Sequence, residues 1–186
     1  MLRSTTKLRN INLVSVIFFI LAAVFYFVHE KYPFLRTQQD NDAVPVITVY
    51  DGDTVSIVIS RKREKVRLIG IDAPEMGQKP WGEEAKRYLE SILQNSDWKV
   101  RVEFDVEKTD QYGRVLAYIW TTDRRLINLM MIKSGYAMFY TVPPNVKYAE
   151  EFGKAQAEAR KERLGMWSED GLRERPQDYR KEHPRI

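Results

Sequence analysis

The sequence predicts an α+β fold in which five short antiparallel strands close into a small barrel carrying three α-helices. Three observations predict it. Apolar residues alternate with polar ones in VITVY, TVSIVIS and KVRLIGI, and an Asp51-Gly52 step separates the first two runs. Apolar positions then recur at helical spacing over 81–94. Both textures return once more, as two strands up to Trp120 and two helices beyond Asn128.

Each element has its own cause. Asp51-Gly52-Asp53 reads as the turn of a first hairpin, and the charged stretch Arg61-Lys62-Arg63-Glu64 as the turn of a second. Over 81–94, Ala85, Tyr88, Leu89, Ile92 and Leu93 form one apolar stripe, and Glu83 and Glu84 sit in the first turn, where the helix dipole favours them. Trp98, Val100, Val102 and Phe104 alternate with Lys99, Arg101 and Glu103, the pattern of a half-buried strand. The polar loop DVEKTDQYG leads into a further strand, RVLAYIW. Asn128 is placed to cap a short helix ending at Gly135, and Tyr148, Phe152, Ala155 and Ala159 mark a last helix that stops near Gly165. Beyond Trp167 the chain is polar and contains proline, and 169–186 reads as a frayed tail. The order three strands, helix, two strands, helix, helix suits a barrel of OB type, an architecture that often binds oligonucleotides although fold alone does not decide function.

Composition bounds the chemistry. The chain of 186 residues is 44% hydrophobic and 30% charged, which is a globular balance, and its mean hydropathy of −0.47 excludes a polytopic membrane protein. Cysteine is absent, which excludes disulfides, thiolate nucleophiles, iron–sulfur clusters and cysteine-bearing zinc sites. The two histidines, His29 and His183, lie outside the predicted domain, so its chemistry falls to carboxylates, cations, hydroxyls or a metal. The net charge of +4 is concentrated at the N-terminus. Residues 1–40 hold five basic and two acidic side chains of the 30 and 26 in the chain, which leaves 25 against 24 and a nearly neutral domain. Any polyanion site has to be local.

Ile11 to Val28 is an 18-residue run with two polar residues, Asn12 and Ser15, and no charge. Such a run is long enough to span a bilayer with little tilt. Arg3, Lys7 and Arg9 precede it, and the positive-inside rule places the N-terminus in the cytoplasm and the remainder outside. A cleaved signal peptide shares the charged start, but its apolar core is shorter and ends in small residues. Here the run ends in Val24-Phe25-Tyr26-Phe27-Val28. The division predicted is therefore a cytoplasmic stretch 1–10, a single-pass anchor 11–28, a linker 29–45, the OB-type domain 46–168 and the tail 169–186. Secretion after signal cleavage is the alternative.

Asp51, Asp53, Asp72 and Glu75 stand in or beside apolar strands, where strand ends can converge carboxylates. Two carboxylates and a carbonyl suit a hard cation such as Ca²⁺, although an isolated Asp-Gly-Asp-Thr is more often only a turn. Arg67 lies inside a strand, where burying it unpaired is costly. Either its head reaches water from a packed stem, or its fixed donors clamp an anion. Arg114 opens the fifth strand as a possible second clamp. Strict alternation puts Arg67 on the face of Ile69 and Ile71, so only a bulge or bend brings it to Asp72.

The blocks YDGDTV (50–55), VRLIGIDAPE (66–75), DQYGRVLAYIW (110–120) and RLGMWS (163–168) carry a further signal. In this order they resemble the staphylococcal nuclease (thermonuclease) family, along nearly the whole span from Val46 to Ser168. The resemblance implies a Ca²⁺-dependent phosphodiesterase that cleaves DNA and/or RNA, leaving 3′-phosphate and 5′-hydroxyl ends, acting as a monomer without an obligate protein partner. It implies Asp53, Asp72 and the carbonyl of Ala73 as metal ligands, and Arg67, Glu75 and Arg114 as the catalytic set with Glu75 as general base. Asp110, Tyr112 and Tyr140 are implied in substrate binding, with a core role for Tyr140 equally open. Two positions depart from the pattern. Ala73 replaces a threonine, and Gln111 stands where a basic residue is common. The rival reading is a tethered nucleic-acid- or peptide-binding module that has lost activity. Against it, Asp53, Arg67, Asp72, Glu75 and Arg114 are all present.

Overall fold

The computed structural model describes residues 43–184. The apolar run 11–28 and its flanks lie outside the described residues, among which no helix is long and apolar enough to cross a membrane. The first hairpin forms at the Asp-Gly step. Strand β1 (Val44–Val49) pairs antiparallel with β2 (Thr54–Ile59), and the Tyr50 N–H donates to the Thr54 carbonyl at 2.9 Å to close the turn. Strand β3 (Lys62–Leu68) follows a turn at Ser60 and Arg61, whose φ values are +50° and +65°. Two successive positive φ angles match the twist of a tight hairpin. The second turn thus shares only Arg61 with the predicted stretch 61–64, and Lys62, Arg63 and Glu64 belong to the strand. Their charge serves the outer face of the sheet, where the Arg63 guanidinium donates to Ser56 Oγ and Thr48 Oγ1, each at 2.8 Å.

Strands β5 (Lys99–Glu103) and β6 (Val115–Thr121) complete a closed barrel in the order β1-β2-β3-β6-β5. One expectation changes here. β3 and β6 run parallel, with Val66 opposite Val115, because a helix and β5 intervene and return the chain in the same direction. Trp98 stays outside β5, with φ +54° and its ring exposed. Val55, Ile57, Val66, Leu68, Val100, Ala117 and Ile119 have no solvent exposure and belong to the hydrophobic core.

Helix α1 (Trp81–Gln94) has the predicted limits and buries Ala85, Leu89, Ile92 and Leu93. Two further helices follow, α2 (Ile127–Lys133) and α3 (Ala149–Lys161). Asn128 is not the cap of α2. It lies inside the helix, fully buried, and bridges two distant backbones: its Oδ1 accepts the Ile119 N–H at 3.0 Å and its Nδ2 donates to the Ile69 carbonyl at 2.8 Å. The predicted tail carries a fourth helix, α4 (Pro176–Glu182), with proline in its first turn, where a missing N–H costs nothing.

The bend needed to bring Arg67 to Asp72 lies at Gly70. Its φ is +80°, and a Cβ there would lie 2.5 Å from the Phe152 ring. Only glycine meets both conditions. Asn128 holds the carbonyl just before the bend, and the Tyr140 N–H donates to the Gly70 carbonyl at 3.1 Å. The chain leaves the bend as a short strand β4 (Ile71–Asp72), paired antiparallel with β7 (Met138–Phe139).

Candidate active site

Arg67 leaves the end of β3 and finds two carboxylates. Its NH1 lies 3.1 Å from Asp53 Oδ2 and its NH2 3.1 Å from Asp72 Oδ1, while NH1 also donates to the Leu68 carbonyl at 2.8 Å. The arginine side chain is 14% exposed and the two carboxylates 8% and 3%. The alternative of a rim arginine with its head in water is therefore excluded. The turn after β1 supplies Asp53, the Gly70 bend supplies Asp72, and Arg67 ties them together. Asp53 is fixed further by the Ala73 N–H at 2.8 Å and the Thr54 hydroxyl at 3.0 Å. Burial pushes the Asp53 carboxyl up to about 7, because the opposing pull of Arg67 does not offset it and Asp51 and Asp72 add to the rise.

Glu75 stands on a loop whose backbone is locked. Its N–H donates to Gln78 Oε1 at 3.0 Å, and its carbonyl accepts the Gln78 N–H at 2.8 Å. A Cβ on Gly82 would lie 2.1 Å from that same carbonyl, so α1 packs directly on the loop. Arg180 of α4, which the sequence did not single out, links the Glu75 side chain to Asp72. Its NH1 donates to Glu75 Oε1 at 2.8 Å and to Asp72 Oδ1 at 3.0 Å, and its NH2 to Asp72 Oδ2 at 3.0 Å.

A second group forms at the turn before β6. Asp110 Oδ1 accepts the Tyr112 and Arg114 N–H groups, each at 2.9 Å, and Oδ2 accepts Arg114 Nε at 2.7 Å. These bonds, with the Arg114 charge, hold the Asp110 carboxyl below the usual range although burial opposes them. Asp110 thus shapes the turn and aims Arg114. Gly113 takes φ +75° in it, with nothing near its missing Cβ. The parallel register, with Val66 opposite Val115 and Arg67 opposite Leu116, places Arg114 two residues before the partner of Arg67. Asp53, Arg67 and Asp72 are joined through direct contacts and Glu75 is joined to them through Arg180, whereas Arg114 is tied to its own turn on the neighbouring strand. Tyr112 is 75% exposed and Tyr140 42% exposed, so neither is a core aromatic.

A cleft of about 530 Å³ opens beside Glu75, with Tyr50, Asp51, Lys65, Tyr179, Arg180 and His183 among its walls. His183 corrects an expectation: the tail returns to the site and brings a histidine to it, stacked on Tyr179 with ring centres 4.1 Å apart. Pro176, Asp178 in the first turn, and Arg180 and Lys181 in the last are legible helix signals. No sequence pattern joins Arg180 to an aspartate 108 residues away.

The donors suit a hard cation. Asp53, Asp72 and the Ala73 backbone offer oxygen, the donor Ca²⁺ takes. No group of three acidic, histidine or cysteine side chains is arranged to hold an ion among the described residues.

Comparison with known proteins converges on one family. Residues 65–169 match the family model described as "Staphylococcal nuclease homologue". The thermonuclease of Staphylococcus intermedius is 36% identical over 155 residues, covering 80% of this chain and 90% of that protein. The thermonuclease of Staphylococcus hyicus is 34% identical over 165 residues, covering 84% and 96%. The endonuclease YncB of Bacillus subtilis is 30% identical over 146 residues, covering 75% and 68%. With the barrel, the Arg67-bridged aspartates and this coverage together, the chain belongs to the staphylococcal nuclease family.

Proposed function

We propose that the domain is a Ca²⁺-dependent nuclease that hydrolyses phosphodiester bonds of DNA and/or RNA to 3′-phosphate and 5′-hydroxyl ends. The observation that carries this reading is the guanidinium of Arg67 bridging two buried aspartates, with Glu75 on the adjacent locked loop. Asp53, Asp72 and the Ala73 carbonyl would hold the ion, which when bound stabilises negative charge on the phosphoryl group. Since the ligand at 73 is a carbonyl, alanine serves there as threonine does. Arg67 and Arg114 present fixed N–H forks to the oxygens on which charge grows as the bond to the leaving 5′-oxygen breaks. Glu75 orients the attacking water and takes its proton. Tyr112 and Tyr140 offer exposed rings on which bases stack, a sequence-tolerant mode that suits both DNA and RNA.

Cleavage of a 5′-labelled oligonucleotide by the full chain in mild detergent tests this reading. Activity is expected in Ca²⁺, with loss on chelation and a shorter labelled product that carries a phosphatase-sensitive 3′ end. Phosphatase-resistant 3′ ends, or cleavage that survives chelation, overturn it.

We also propose that residues 11–28 anchor the domain on the outer side of a membrane, on the length and apolarity of the run. The chain is then expected in the membrane fraction with its first residues intact. A mature N-terminus beyond Val28 in the soluble fraction would mean secretion after cleavage instead.

A further inference from the structure

We propose that the C-terminal segment 171–184 is an intramolecular plug whose Arg180 sits on Asp72, a carboxylate the proposed Ca²⁺ ion requires, so that plug and ion exclude one another. This rests on the Ca²⁺-dependent reading above and adds its regulation.

Arg180 uses two nitrogens on the two oxygens of Asp72, each at 3.0 Å, and shares NH1 with Glu75 at 2.8 Å. Asp72 Oδ1 already receives Arg67 NH2 at 3.1 Å. Both Asp72 oxygens therefore have guanidinium donors, and Ca²⁺ needs its ligand oxygens at about 2.3–2.6 Å. Arg180 holds its positive charge against the Asp72 oxygens that an ion would take, so a dication there displaces one of the two guanidinium groups, and Arg67 is the fork held inside the barrel rim. Arg180 is the one free to leave, being 36% exposed and carried on a seven-residue helix that cannot persist alone.

The docking is built from more than one contact. Gln78, which fixes the Glu75 loop, donates its Nε2 to the Glu174 carbonyl at 2.8 Å. The Tyr179 hydroxyl occupies the space beside Gly77, where a Cβ would lie 2.2 Å away. His183 stacks on Tyr179 and lines the cleft with Pro184. On the other side of α4, Asp178 pairs with Arg175 and Lys181, which steadies the helix without touching the site. The segment thus covers the approach to Glu75 and neutralises Asp72 in the ion's place. Linkage then requires that whatever loosens the plug tightens the ion, and that the ion loosens the plug to the same degree.

Calorimetric titration of Ca²⁺ into the full chain in detergent tests this, comparing wild type with Arg180→Gln, Tyr179→Ala and Lys181→Gln. Arg180→Gln and Tyr179→Ala are expected to tighten Ca²⁺ by about tenfold or more, the second without altering any charge. Lys181→Gln removes the same charge as Arg180→Gln outside the site and, losing only an exposed pair with Asp178, is expected to shift affinity far less than Arg180→Gln. Saturating Ca²⁺ is expected to speed hydrogen exchange at the Tyr179 and His183 amides, which bond to the Arg175 and Tyr179 carbonyls. Equal affinity in wild type and both plug variants overturns the plug while Ca²⁺-dependent cleavage keeps the nuclease reading. Equal tightening by Lys181→Gln also overturns it, as a general charge effect. If no variant binds Ca²⁺ and none cleaves, both readings fall. Should Arg180→Gln fail to fold, Tyr179→Ala carries the test alone.

Discussion

Arg67→Met is expected to destabilise the domain by about 3–5 kcal/mol and to lower cleavage by at least about a hundredfold. Methionine keeps the apolar stem of the arginine, so the barrel loses little packing. What it loses is the cation between Asp53 and Asp72, whose side chains are 8% and 3% exposed. Arg180 still covers Asp72, so the uncompensated charge falls mainly on Asp53. The sign with pH follows from that residue. Burial already raises Asp53 to about 7 against the pull of Arg67. Removing the pull raises it further. The native state then holds a proton that the unfolded chain has lost, and stability falls as pH climbs above the ordinary carboxylate range. Urea midpoints are therefore expected to separate variant from wild type more at pH 8 than at pH 5. Ca²⁺ is expected to recover part of the stability and little of the activity, because an ion can neutralise the aspartates but cannot supply the fork to the phosphate. A variant as stable as wild type at pH 8 in chelator would show that Arg67 is not what makes those buried carboxylates tolerable.

The legible part of the fold was whatever periodicity and turn chemistry control locally. The Asp-Gly hairpin and the limits of α1 follow from a few adjacent residues, and the structure keeps both. Arg67 marks where that reasoning stops. Alternation assigned it to the face of Ile69 and Ile71, and the separation from Asp72 vanished only because the chain bends at Gly70, clamped by Asn128 from another element. Asn128 itself looked like a helix cap because asparagine usually earns that role, whereas here its amide bridges two backbones far apart in sequence. Arg180 was invisible for the same reason in stronger form. A polar tail has no hydrophobic pattern to reveal docking, and its anchors are a peptide carbonyl, a ring over a glycine and a salt bridge across 108 residues.

Glu75→Gln is expected to leave the fold intact and to reduce cleavage by about 10²–10⁴-fold, the range for a lost general base. The locked loop is what makes this substitution informative. Hydrogen bonds with Gln78 in both directions and the close approach of Gly82 involve the backbone of residue 75, not its side chain. Glutamine has the same length and keeps an oxygen for Arg180 NH1, so α4 remains docked. Only the capacity to take a proton disappears. Substrate affinity and urea midpoint should therefore change little while turnover collapses, the signature of an interaction made in the transition state alone. Glu75→Asp should fall between the two, since the carboxylate remains but withdraws by one methylene from the water it must reach. Turnover of Glu75→Gln within about twofold of wild type would remove Glu75 from proton transfer. Loss of substrate affinity with unchanged turnover would instead make it a binding group.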